Sequence, residues 1–516
     1  MGSTVLSRRA LLAGFATFAA AGTLPRRVLG GTQPSGIPIT GYQPNGFTVP
    51  PNETWEIVGT VDTPHNVIVY GTLRMRPGST LRFVNVSESG FVGGGMDPIA
   101  SDVGLWVMGE GVLDAQGTPV QGWASGAAPA GALPGSELVM TPTAVGDLRC
   151  TSFVGQSIPL VPAPDGRTFA AEVANLTRDV RIEGTPGRRS HIYIRSTVPQ
   201  QIRHVAIRHM GPRRGRNEVL GRYPLHFHHC HDGVRGTVIE GVVVRDSGSH
   251  AFVPHMSNGV TFIDCVAYGV GADAYWWDMP DQTHDAVFER CAAFELAPPA
   301  GVTEYNLSGF LVGAGTGNAV RNCVVAANRG PKNGAGFSWP SSAARFAWTF
   351  QNNIAHNNTN GTRVWQNGGT ATHVMDDFVA YRNTTYGVDH GAYRNDYRYE
   401  RALCFGNGRA GLSVHTVGGP PTTFRGCRFD GVYVNRHTVS PSAPITWTDC
   451  VFDRPITVAE GTSNPANYDF VRCGVEPSNF AIQQMHGSSI YRVQRADGTA
   501  FRLRADGTAV PIPPFA

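Results

Sequence analysis

The chain of 516 residues is too long for one ordinary globular core unless that core is an elongated repeat array. Glycine reaches 63 residues while only 16% are charged, a balance that excludes disorder and suits strands and turns. The first 30 residues hold four arginines and no acid, so without them the formal charge of +3 becomes −1. A nearly neutral remainder gives no whole-molecule case for nucleic acid or an anionic membrane.

Arg8 and Arg9 precede the apolar run "ALLAGFATFAAAG", which is too short to act as an anchor. Paired arginines ahead of a weakly hydrophobic segment predict a twin-arginine export signal over residues 1–30, with an ordinary secretory signal as the other reading. No second stretch approaches membrane length, so a secreted, periplasmic or extracellular product without a membrane span is expected. Residues 36–140 alternate apolar and polar positions and turn at Gly or Pro every eight to twelve residues. They predict an N-terminal, glycine-rich β module that caps or continues the remainder of the chain. "GWASGAAPAGALPGSE" reads as a linker and residues 141–200 as a connecting β segment.

Residues 201–475 repeat. Cys404, Cys427, Cys450 and Cys473 are each 23 residues apart, and Cys265, Cys291 and Cys323 sit in similar contexts at looser spacings. Asn353 and Gly241 take the same slot in other units. Nine cysteines is an odd count, and equal spacing in similar strands stacks side chains in register. A ladder of buried thiols is therefore favoured over disulfides. Units of roughly 23 to 32 residues made only of strands and turns predict a solenoid. The expected fold is all-β: a right-handed parallel β-helix with coils about 4.8 Å apart. Residues 476–516 repeat "RADGTA" with Asp-Gly turns at Asp497 and Asp506, which predicts a C-terminal hairpin cap.

The succession "AEVANLTRDVRIEGT", "HVAIRHMG", "GRYPLHFH" and "SHAFVPHMSNGVTFIDCVAYGVGADAYWWD" resembles the cell-migration-inducing and transmembrane hyaluronidases and the related fibrocystin-like proteins. Residues 40–120 resemble the glycine-rich domain that precedes these segments in that family, and the resemblance runs to about residue 300. It implies hyaluronan cleavage. Arg222, His226 and His228 match the family motif, and His255 and Asn258 match its His-x-x-Asn. Asp278 stands where the family usually has glutamate, and Asp273 where it usually has histidine.

"GRYPLHFHHCHDG", residues 221–233, holds four histidines. Counting back from a Gly241–Cys265–Cys291 ladder stacks His231 with His255 and Asp281, His228 with Phe252 and Asp278, and His226 with His250 and Trp276. Alternation points His226 and His228 one way and His229 and His231 the other, if the strand stays extended. Histidines on adjacent coils beside a carboxylate suit one divalent metal ion, with His226, His228, His231 and His255 as candidate ligands, or proton transfer. His228, His255, Asp278 and Asp281 are the candidate catalytic residues. Arg222, Tyr223, Trp276, Trp277 and Asn258 are candidate contacts for a polysaccharide, through a charge-assisted pair and aromatic faces.

Asp278 and Asp281 would serve as the two carboxylates of a glycoside hydrolase. A histidine- and arginine-rich motif fits a metal-assisted lyase about as well. A carbohydrate-binding solenoid without catalysis, and a histidine ladder that only stabilises the coils, remain open. The resemblance places a hydrolase acting on an acidic glycan such as hyaluronan first.

Overall fold

Short β-branched and aromatic runs separated by turns wind here into a coil of three strands. The computed structural model describes residues 36–516 apart from 278–280, 303–306, 331–333, 341–342, 344, 367–368, 370, 393–394, 416–420, 438–442 and 462–463. One coil supplies strands Phe252–Ser257, Thr261–Ile263 and Val266–Tyr268, and the next Tyr275–Trp276, Val287–Glu289 and Ala292–Phe294. Each strand pairs in parallel with its counterpart one coil away: Phe252 with Tyr275, Phe262 with Phe288, Ala267 with Ala293. The result is a parallel β-helix with three faces. The first face is a 15-stranded sheet that contains the histidine stretch, and the other two join into a 30-stranded sheet. Among the described residues no helix is long and apolar enough to cross a membrane.

Residues 37–116 supply the first coils of the same helix, since Thr72–Met75 pairs with Val112–Gln116, which pairs with Gln201–Arg203. At the other end Ile490–Gln494, Ala500–Leu503 and Ala509–Ile512 run antiparallel through the two Asp-Gly turns. That hairpin cap closes an edge that would otherwise offer unpaired backbone to another chain.

Coil spacing dictates the core. Inward-facing rings land directly over one another, as in Phe262 on Phe288 (4.8 Å, 2° between planes) and Tyr275 on Phe310 (4.2 Å, 4°). All nine cysteines are free thiols. Cys265, Cys291, Cys323 and Asn353 do share one slot, and the Asn353 amide oxygen accepts the Cys323 backbone N–H at 2.9 Å. Two ladder assignments shift. Val242, not Gly241, fills the slot, and Cys404 lies two residues past it, where Ala402 stacks under Cys427, Cys450 and Cys473.

The residue before the slot turns the corner between the second and third faces. His204, Gly241, Asp264, Arg290, Asn322, Asn352, Asp377, Arg401, Gly426, Asp449 and Arg472 all have φ between 49° and 61°. Glycine, asparagine and aspartate adopt that region cheaply. Arginine at the same corner shows that the coil, not the residue, imposes it. Beyond the third face an asparagine ladder satisfies buried backbone: Asn328, Asn358, Asn383 and Asn407 each receive a side-chain oxygen from the next rung, ending at Asp430.

Residues 117–177 leave the coil as an arm. The stretch expected to be a linker is folded: Trp123–Ser125 joins a four-stranded antiparallel sheet with Leu138–Met140, Thr151–Ser152 and Glu172–Asn175. Trp123, Val139 and Leu176 pack on the outer side of the third face against Val243, Val266, Phe294 and Val324. Val161 and Phe169 reach Tyr381, Leu403 and Phe405. That face is apolar on both sides because both are covered.

Candidate functional site

The histidines lie on the first face, on strands Leu225–His231 and Phe252–Ser257. Alternation sends Leu225 and Phe227 into the core and His226 and His228 to the outer side. The register pairs His226 with Val253 and His228 with His255. This replaces the expected stacking of His231 on His255 and of His228 on Phe252. The cause is local: the register breaks between His228 and His231, and His229 and His231 both have positive φ. His231 is exposed, and though its ring lies 5.9 Å from that of His229 it belongs to neither group of converging ligand atoms. His229 takes its place, 4.3 Å from the His228 ring and 4.8 Å from that of His255. Period-2 alternation could not find it, because the bulge cancels the alternation.

Three ring nitrogens converge. His226 Nε2 lies 3.3 Å from His228 Nδ1, which lies 3.1 Å from His255 Nδ1. The outer nitrogens of two of these rings are already committed. His226 Nδ1 meets the Gly221 carbonyl at 2.9 Å, and His255 Nε2 meets the Asp281 carboxylate at 2.9 Å. Oxygens of those kinds only accept, so both nitrogens donate, and the inward nitrogens of the neutral rings present lone pairs. His228 Nε2 is buried with no partner among the described residues. A proton on His228 Nδ1 serves one neighbour and leaves the other facing a nitrogen.

Taking up another proton is costly there. Burial, reinforced by the neighbouring imidazoles, drives His228 down to about 3 and His226 well below the usual histidine range. A divalent cation is the alternative. Ligands about 2.0–2.1 Å from a tetrahedral metal sit about 3.3 Å apart, close to the spacing of these nitrogens. The Gly221 carbonyl and Asp281 are second partners of the sort that orient metal-bound imidazoles. His229, His255 and Asp281 form a second, more open grouping on the solvent side.

The other expected site residues divide. Arg222 is not available to a substrate carboxylate: it is buried and its Nε donates to Asp102 at 2.7 Å. It also bonds the Gly94 carbonyl and the same Gly221 carbonyl that fixes His226. Arg222 is thus a bolt between the 91–104 loop and the histidines, and breaking so buried a pair costs roughly 3–5 kcal/mol. Asp102, to which sequence offered no signal, also accepts the Val92 and Gly93 backbone N–H groups.

Tyr223 is fully buried, and Trp277 points into the core, where it packs on Phe288 and Trp348, so neither offers a face to sugar. Trp276 is half-buried on the outer side. His250 stacks on its ring at 3.8 Å, and Asp273 and Glu218 flank that histidine at 3.6 and 3.4 Å. Burial lifts the Asp273 carboxyl to about 6. Asn258 ties three turns together, bonding the His231 carbonyl, Asp232 and the His284 backbone N–H. Asp281 is exposed beside His255. Asp278 lies outside the described residues.

Residues 189–278 match the family model described as the CEMIP beta-helix. The match takes in His226, His228 and His255 and stops short of Asp281. Over 151 residues the chain is 30% identical to the Cell surface hyaluronidase CEMIP2 of Homo sapiens, an alignment covering 24% of this chain. It is 28% identical over 151 residues to a G8 domain-containing protein of Dictyostelium discoideum, covering 27%. The aligned segment is 10% of the length of each of these relatives.

Proposed function

We propose that the chain is a secreted polysaccharide-degrading enzyme acting on an acidic glycan such as hyaluronan, with its chemistry at His228, His255 and Asp281. The observation that carries this reading is the meeting of three imidazole nitrogens at 3.1–3.3 Å on the outer face, within the segment similar to the CEMIP β-helix. His226 Nε2, His228 Nδ1 and His255 Nδ1 would hold one divalent cation. Bound there, the ion would polarise a glycan oxygen or activate a water. Asp281 fixes the His255 tautomer and stands close enough to take a proton from a group at the solvent edge. Trp276 presents a half-buried aromatic surface on the same outer side. Export by the twin-arginine route belongs to the same proposal.

A hydrolase needs two carboxylates. Among the described residues only Asp281 bonds the histidine cluster through a carboxylate. The second reading is a lyase, in which a base removes the proton beside a uronic carboxylate and a cation at the three imidazole nitrogens stabilises the anion.

The test is to incubate the protein with acidic and neutral polysaccharides, with and without chelator, and follow chain length, reducing ends and ultraviolet absorbance. Depolymerisation with new reducing ends and no absorbance supports hydrolysis, and absorbance of unsaturated uronates transfers the assignment to a lyase. Binding without any shortening of the polymer overturns the enzyme reading.

A further inference from the structure

The outer side of the first face does not end at the histidines. One outward column continues along it from coil to coil. Trp276, Leu311, Ser338, Arg363 and Asp389 are successive rungs of the column that begins at His226, and all five are half-buried. Five strand spacings, about 24 Å, separate the His255 strand from that of Asp389. There the face carries a second group of polar and aromatic side chains, beyond the segment that matches the CEMIP β-helix.

Its geometry is built rather than incidental. His415 Nε2 bonds Asp389 at 3.1 Å, and the Arg363 guanidinium lies 4.0 Å from the same carboxylate. The His415 ring crosses the strand over Gly391, where an added Cβ would come within 2.6 Å of it. The absence of a side chain at Gly391 is what admits the ring. Trp365 faces His415 at 5.3 Å and Arg363 at 5.7 Å. At the opposite edge of the strip, the exposed Arg409 lies 4.0 Å over the Tyr433 ring. Burial alone would raise the Asp389 carboxyl, but the hydrogen bond from His415 holds it below the usual range.

We propose that Arg363, Trp365, Asp389, Arg409, His415 and Tyr433 form a distal subsite for an acidic polysaccharide, on the same face as the histidine centre. The inference rests on the proposed function, since it requires the strip to carry glycan. Guanidinium groups pair with uronate carboxylates, aromatic faces take the apolar faces of sugar rings, and a carboxylate accepts sugar hydroxyls. A chain that reaches both regions gains the second contact intramolecularly, so affinity rises with chain length once the polymer spans about 24 Å.

The experiment measures binding and initial rates on hyaluronan fractions of graded length for the wild type, Arg409→Glu and Trp365→Leu. Both variants are expected to lose about tenfold or more in affinity for long chains and nothing for short fragments. In kinetics that loss appears in KM for long chains, with kcat unchanged. Arg409 is exposed, so its variant reports even where Trp365→Leu lowers stability. Wild-type affinity independent of length, or variants that bind long chains like the wild type, overturns the distal subsite and leaves the proposed function standing. Failure of the wild type to bind any length of glycan overturns both.

Discussion

His356 and His228 are both buried imidazoles on outward positions, one beneath the arm and one on the first face. Every nitrogen of His356 meets an oxygen: Nε2 reaches Glu172 at 2.7 Å and Nδ1 reaches Asn357 at 2.9 Å, while the ring stacks on Tyr381 at 4.6 Å. Glu172 also accepts Thr141 Oγ1 at 2.8 Å, so this set closes on itself and clamps the arm to the coils. His228 instead faces two other imidazole nitrogens. A ring whose nitrogens both face acceptor oxygens turns no lone pair toward a ligand and is structural, whereas nitrogens turned on one another leave lone pairs that a cation or a proton completes. Burial separates neither case from the other; the partner atoms do.

The sharpest way to break this contrast is turnover. His255→Ala removes one inward nitrogen and the link to Asp281, and should lower depolymerisation by about 10²–10⁴-fold with the fold intact. Steady-state rates on protein with a wild-type unfolding profile check this, and an unchanged rate moves the chemistry elsewhere. Glu172→Ala should act in the opposite sense. It strips His356 and Thr141 of an acceptor and costs roughly 3 kcal/mol in denaturant unfolding, while the rate per folded molecule stays the same.

Next in size is the cation. A divalent ion at 100 times its Kd should stabilise the wild type by about 2.7 kcal/mol, and His226→Ala should lose that gain. Equal stabilisation of both proteins would place the ion at another site.

Acidification probes the satisfied and buried histidines of the later coils. Burial holds His390 down to about 3 and His373 and His437 down to about 4. Each stays neutral in the fold but is protonated in the unfolded chain below about 6.5. The stability they contribute is whole above that pH and is lost as pH falls from there toward their folded values. Each should cost about 2 kcal/mol by pH 5. His437→Gln should flatten the dependence of stability on pH by about one proton between pH 4 and 6. The smallest expected effect is none: reductant should leave the unfolding midpoint unchanged, since all nine cysteines are thiols.

Much of the fold was legible because a β-helix writes its cross-section into every unit. The equal cysteine spacing, the strand–turn grammar and the paired Asp-Gly turns of the tail each describe contacts one coil away or nearer. The site was legible only to the level of the rung. Fourteen residues run from His228 to its slot at Val242, but ten from His255 to Cys265, so counting back from the ladder displaced the columns by three. The true difference is four, and starting from the visible Gly241, which is the corner residue, in place of Val242 offset one residue of it. The buried pairing of Arg222 was not legible, because its partner Asp102 is 120 residues away and nothing near either one announces the other.

The sequence by itself determined an all-β parallel helix, the hairpin that caps it, the ladder of thiols in place of disulfides, and the rung that carries the histidines. These come from side-chain period and turn residues, which act over a few positions. Only the tertiary structure decided that His228 meets His255 and His226 while His231 turns away. It alone decided that Trp277 faces in and Trp276 out, and that residues 117–177 fold onto the third face. Those outcomes depend on turn lengths, one bulge and the register between coils, and a shift of a single residue in any of them reverses which side chains share a face.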